Sequence, residues 1–252
     1  MINLQKAQIE FEKYLNQFDT EEENIHRKIL HSYRVEEVSG KLAELIGLEE
    51  EQIKLAKLIG LLHDIGRFKQ FTIYHTFEDH KSIDHGKLGV QILEKDQYID
   101  CYVEEKYQNI IKKAIRNHNQ YELEEGLTKE QKIYCNLIKD ADKLDILYEA
   151  TQIFWKGKER EIEKEEVSPA VFQIFKENKL IPNEIKKGQL DYMIGMLSFV
   201  YDFNFKETYM ILKEKEYISQ ILSRFQFKGT PNEGKINEIE KVINKYINQK
   251  TK

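Results

Sequence analysis

Leu61-Leu62-His63-Asp64-Ile65-Gly66-Arg67-Phe68 sets a histidine and a carboxylate side by side at the end of an apolar helical run. A neutral imidazole and an ionised carboxylate on adjacent residues can both reach one cation. A helix C-terminus with a capping histidine fits the same dipeptide, and His-Asp alone is a weak motif. Gly66 reads as the residue that breaks the helix. Upstream, the run from Glu49 through Ile53, Leu55, Ala56, Leu58, Ile59, Leu61 and Leu62 is apolar on most faces near its end, which predicts that this end is buried. A buried carboxylate must be paired or must bind a metal, so the predicted burial already argues for more than a cap.

Further upstream, residues 3 to 17 form a loose helical stripe. Thr20 followed by Glu21-Glu22-Glu23 then reads as a helix start, with acidic residues on the positive end of the dipole. Ile25, Ile29, Val35, Val38, Leu42 and Leu45 continue that helix, which includes His31, and Gly47 suits its C′ position. Downstream, residues 66 to 84 have no clean period and read as a long aromatic and charged connection, of the kind that is usually functional. Asp84 is placed to cap a helix with His85 in its first turn. Residues 98 to 117 predict another helix, ending at Asn117-His118. Thr128 caps the next, whose apolar face Ile133, Leu137, Ile138, Ala141, Leu144, Ile146 and Leu147 encloses Asp140 and Asp142. Periodicity alone leaves these two aspartates as rivals.

Beyond Leu147 the chain stays helical but loses its concentration of His and Asp. Ser168-Pro169 reads as an N-cap and N1 pair. Pro182-Asn183 opens a long apolar helix through Val200, and helical spacing continues over 206 to 225 and 235 to 247. Lys158 to Glu166 is a solvated helix face or an exposed loop. No repeat, linker or charge run divides the chain. The expectation is a single all-helical domain over 1–252, with a core of about 22–150 and a C-terminal extension of about 151–252.

Composition limits the classes. The 252 residues are 40% hydrophobic and 33% charged, with only three prolines, which suits a soluble, helix-rich chain able to bury a sizeable core. A net charge of −5 gives no general electrostatic reason to bind nucleic acid or an anionic membrane. Neither a signal peptide nor a run of about 18 apolar residues is visible. The expected setting is the cytoplasm, with Cys101 and Cys135 as buried or inert thiols in helical patterns.

His31, His63, Asp64, His85, His118 and Asp142 thus lie on or at the ends of five predicted helices. Imidazole with carboxylate suits Mn, Fe, Co, Ni or Zn better than a structural zinc site. In this combination the chain resembles the HD superfamily of metal-dependent phosphohydrolases. That signature has a histidine on one helix, a His-Asp pair at the end of the next, and a distant aspartate in an Ala-Asp-x-Leu context, here Ala141-Asp142-Lys143-Leu144. The resemblance implies an all-α fold: an HD-domain-like helical bundle with additional C-terminal helices. It implies that His31, His63, Asp64 and Asp142 hold one divalent metal, with Asp140 at the surface. His85 and His118 match the extra pair of relatives with a second ion, which Asp64 would then bridge.

The activity so implied is hydrolysis of a nucleotide or another small phosphate ester by metal-activated water, with one or two divalent ions (Mn, Fe, Co, Ni, Zn or Mg) as cofactor. Asp64 would be central to catalysis. Arg67 and Lys69 are the nearest candidates to hold phosphate, and Lys143, Arg34, Lys87 and Arg116 are weaker ones. His26, His75 and His80 read as surface or loop residues, although His80 could contact substrate. No Gly-Tyr-Pro segment of the cyclic-dinucleotide branch is present. Relatives that use the same six ligands to hold two irons and activate oxygen define an alternative, and a non-catalytic ligand-binding module a third.

Overall fold

The computed structural model describes residues 2–95 and 98–252. It is all-α: among the described residues there is no strand, only an isolated antiparallel bridge between Ile2 and Val103. The chain falls into two compact units, Met1–Asp142 and Lys143–Lys252.

The first unit holds α1 (Leu4–Leu15), α2 (Glu23–Leu45), α3 (Glu50–Leu62), α4 (Ile65–Tyr74), α5 (His85–Glu94), α6 (Glu105–Asn117) and the first part of α7 (Lys129–Gln152). The α2–α3 pair is its most extensive packing, and α3 also meets α1 and α6, while α4 packs on α5 and α5 on α6. The core of this pair is made by Val35, Leu42 and Ala43 from α2 and by Leu55, Ala56, Leu58, Ile59, Leu61 and Leu62 from α3, all buried. Gly47 closes α2 at φ +80°, donating to Glu44 O, while Leu48 N reaches Ala43 O, which is the Schellman pattern expected of a glycine at that place.

Several boundaries differ from the sequence expectation. Helix α2 starts at Glu23, capped by the Glu22 carboxylate on Ile25 N. Thr20 instead lies in a turn in which Asp19 Oδ1 accepts from Glu21 N. Gly66 breaks no helix. The chain turns at His63 and Asp64, and α4 begins at once with Gly66 in its first turn. Glycine is required there by the close passage of α4 over α5, because a Cβ would collide with His85 O and stand 2.8 Å from Gly89 N.

The first half of the supposed connection 66–84 is therefore helix, and only the part after His75, at φ +52°, is loop. Its helical period was hidden because the buried face of α4 carries Gln70, whose amide donates to Asp79 Oδ1 and Ile83 O rather than packing as an apolar group. Residues 98 to 104 are turn and bridge, with Tyr102 O accepting from Asn3 N, so α6 starts at Glu105. Asp84 does cap α5, on Lys87 N, and Thr128 and Gln131 cap each other at the start of α7. Cys135 is buried, whereas Cys101 is exposed because its segment is turn rather than helix.

The second unit continues from α7 through α8 (Glu159–Ile162), α9 (Pro169–Lys176), α10 (Gln189–Leu197), α11 (Lys206–Glu214), α12 (Tyr217–Ser223) and α13 (Glu233–Lys250). Pro182-Asn183 opens only a short 3-10 turn, and α10 waits until Gln189. Residues 206 to 225 are two helices parted by Glu216 at φ +52°. Ser168 and Pro169 open α9 as expected, but the Ser168 hydroxyl donates to the buried Asp191 and accepts no hydrogen bond from its own helix. Among the described residues no helix is long and apolar enough to cross a membrane.

One buried group gives the first unit a pH signature. Burial pushes the Glu36 carboxyl up to about 7, reinforced by Glu37 and opposed by the Gln8 amide and Lys57. A folded pKa above the unfolded one stabilises the protein fully below about pH 4.5, and that contribution is lost as pH rises to about 7. We expect Glu36→Gln to flatten the fall of Tm between pH 5 and 7 and to exceed the wild type in Tm at pH 8. Parallel curves in thermal denaturation would refute this.

Candidate metal centre

Asp64 sits between the end of α3 and the start of α4, and its two oxygens face two different histidine pairs. Oδ2 lies 3.6 Å from His31 Nε2 and 3.6 Å from His63 Nε2. Oδ1 lies 3.4 Å from His85 Nε2 and 3.5 Å from His118 Nε2. Asp142 completes the first half, with Oδ1 3.1 Å from His31 Nε2 and 3.6 Å from His63 Nε2. Within the pairs, the Nε2 atoms are 3.2 Å apart for His31 and His63, and 2.9 Å apart for His85 and His118. Donors about 2.1 Å from a shared ion stand roughly 3.0 to 3.4 Å apart, at octahedral or tetrahedral angles. The spacing here has that scale, and three groups drawn from these six residues could each hold an ion.

The orientation of the rings comes from helix ends. His63 and His118 are the C-cap residues of α3 and α6, and each donates from Nδ1 to the carbonyl three residues back, Gly60 O and Ile115 O, both at 2.7 Å. Carbonyls of a last turn lack intrahelical donors, so the ring satisfies one of them. A carbonyl only accepts, hence Nδ1 carries the proton and Nε2 presents a lone pair. His85 is turned the same way by the Asp79 carboxylate, which takes its Nδ1–H at 2.7 Å.

The electrostatics of the cluster favour a cation. Burial pushes the His85 imidazole down to about 4, helped by Arg67 and His118 and opposed by Asp79 and Asp64. Burial likewise lowers His63, against the pull of Asp64 and Asp142. The Nε2 atoms of His85 and His118 face one another across 2.9 Å, a separation that one proton or one cation between them can bridge. Burial alone would raise the carboxyls of Asp64 and Asp142. For Asp64 the neighbouring charge of Lys28 reverses this foremost, and for Asp142 the neighbouring His31 and His63 rings do, so both are held well below the usual range and stay anionic. Four imidazoles and two carboxylates, with no thiolate, suit a divalent Mn, Fe, Co, Ni or Zn ion.

All six expected ligand residues are thus brought together, and of the phosphate candidates Arg67 joins them. Arg67 borders the cluster, with Nε 3.5 Å from Asp64 Oδ1 and without a hydrogen-bond acceptor, but its Nη1 is committed to Gln70, Phe77 O and Asp79. Lys69 lies roughly 200° further round α4 and is exposed. Lys143 pairs with Asp202, Lys87 with Asp84 and Arg116 with Glu124, while Arg34 is half-buried on α2. His80 is exposed in the loop. Asp142 faces the imidazoles; Asp140, expected at the surface, is fully buried, because α7 is covered on more than one face.

Two residues were overlooked. Lys28, one turn before His31 on the same face of α2, donates to Asp64 Oδ2 at 2.6 Å. Its i, i+3 spacing to His31 was the available signal. Asp79 accepts from His85, Arg67, Gln70 and Asn119, and no periodicity could have singled it out within the loop.

The family model of the HD domain matches residues 29–147, a span that holds the six donors from His31 to Asp142. This stretch is therefore an HD domain; such domains bind divalent metals, and their family includes metal-dependent phosphohydrolases. Neither a curated protein nor a solved structure matches it.

The ring assignments can be checked directly. Imidazole nitrogen spectra should show His63, His85 and His118 protonated at Nδ1, and Asp79→Asn should alter the His85 signal while leaving those of His63 and His118 in place. An Nε2–H tautomer at His118 would contradict the carbonyl anchor.

Proposed function

We propose that this protein is a phosphohydrolase that cleaves a phosphate ester of a nucleotide or other small metabolite at a centre of one or two divalent ions. The observation that carries this reading is the shared carboxylate of Asp64, with an imidazole pair on each oxygen. His31, His63, Asp64 and Asp142 would hold the first ion, and His85, His118 and Asp64 the second. Bound there, such ions lower the pKa of water toward neutrality and neutralise phosphate charge in an in-line displacement.

The chain's own residues set the conditions for this chemistry. Gly60 O and Ile115 O hold the rings of His63 and His118, and Asp79 holds that of His85, so the Nε2 lone pairs are aimed before any ligand arrives. Asp64 and Asp142 remain ionised at neutral pH and supply the negative charge that a cation needs. The unpartnered Nε–H of Arg67 adds a positive edge to the Oδ1 side and would help to neutralise the negative charge of a phosphoryl group held there. A cytoplasmic setting accords with this reading.

The test is metal analysis of the purified protein together with a screen of phosphate esters in the presence of manganese. Ester hydrolysis without oxygen consumption is expected, and oxygen uptake by an iron-loaded protein with no hydrolysis would replace this reading with the oxygen-activating one. Asp64→Ala should abolish both ion binding and turnover while circular dichroism keeps its helical signal. His118→Ala should reduce the stoichiometry from two ions to one, and an unchanged value would leave His118 a cap only.

A further inference from the structure

We propose that Lys28 is the residue that grips the substrate's phosphoryl group, a role that rests on the phosphohydrolase reading above. Its side chain is 12% exposed, and its ammonium is contacted from two sides. Nζ donates to Asp64 Oδ2 at 2.6 Å, and the Phe77 ring lies 5.7 Å from Nζ. The oxygen it holds is the one that faces His31 and His63, so the ammonium stands at the edge of the first ion site.

In the protein without an ion, Lys28 has a plain structural use, since it compensates the buried charge of Asp64. That use ends when an ion binds. Asp64 and Asp142 bring two negative charges to the imidazole cluster, which one divalent ion balances. The positive charge of Lys28 is then left over in a place with little water, and a second ion at His85 and His118 increases the excess. A nearly buried ammonium beside a cation is stable only with an anion between them.

The group that meets this demand has several anionic oxygens. Lysine carries three N–H donors, of which Asp64 takes one, so others can turn to a phosphoryl oxygen. Arg67 stands in the corresponding place on the other side, with its Nε–H near Oδ1. The two cations thus flank the Asp64 carboxylate, one for each oxygen, as a pair of contacts for one phosphoryl group. Unlike Arg67, whose Nη1 is tied to three acceptors, Lys28 has a flexible stem and can follow the ligand.

The experiment compares wild type with Lys28→Met, which keeps length without charge, and with Lys28→Arg, which keeps charge. Manganese binding is titrated first, and inorganic phosphate is then titrated calorimetrically into the manganese-loaded proteins. Lys28→Met should bind manganese at least as tightly as wild type, because a competing cation has left Asp64. It should bind phosphate about 10- to 100-fold more weakly, as expected for the loss of one charge-assisted hydrogen bond, and Lys28→Arg should recover part of the difference.

Phosphate binding by Lys28→Met equal to wild type overturns this proposal alone if the wild type takes up the ion and hydrolyses esters. Loss of manganese together with phosphate also overturns it, since the role of Lys28 would then be to hold Asp64. A wild-type protein that takes up no divalent ion overturns the phosphohydrolase reading, and this one with it.

Discussion

The first unit depends on how one carboxylate, that of Asp64, is kept ionised while buried. Two imidazole pairs and two cationic side chains surround its oxygens, with His31, His63 and Lys28 on Oδ2 and His85, His118 and Arg67 on Oδ1. An isolated carboxylate in such a place would neutralise itself by taking up a proton. The elements that carry these partners, α2, α3, α4, α5 and α6, must therefore meet around Asp64. The absence of a side chain at Gly66 lets α4 and α5 approach closely enough for this.

The same local device appears twice and resolves an apparent choice. A histidine at a helix C-terminus can cap a carbonyl or bind a metal, and the two roles look like rivals in a sequence. In His63 and His118 the two roles are compatible. Nδ1 satisfies the carbonyl at i−3, and this very bond fixes the tautomer that aims the Nε2 lone pair inward. His85, at a helix N-terminus, has no such carbonyl, and the structure uses a loop carboxylate instead.

Asp79 gives the loop after α4 its place in the centre. It links His85, Arg67, Gln70 and Asn119, so the orientation of an imidazole and of a guanidinium are set by one group. Asp79 is itself held well below the usual carboxylate range: burial opposes this, but the His85 hydrogen bond and the charges of His85 and Arg67 prevail. Arg67 is committed to this network through three acceptors of its Nη1.

The sequence by itself determined the helical class, the burial of the α3 end and the caps at Asp84 and Thr128, because helical period and capping chemistry are local properties, while the six candidate ligands came from the family resemblance. It misjudged α4, where Gln70 interrupts the apolar face, and the starts of α2, α6 and α10, where turn hydrogen bonds compete with helix. It also could not separate Asp142 from Asp140. Only the tertiary structure decided which oxygen meets which imidazole pair, that Asp142 and not Asp140 faces the histidines, and that Lys28 and Asp79 belong to the centre. These are contacts between residues distant along the chain, set by where helices cross, and no local period encodes them.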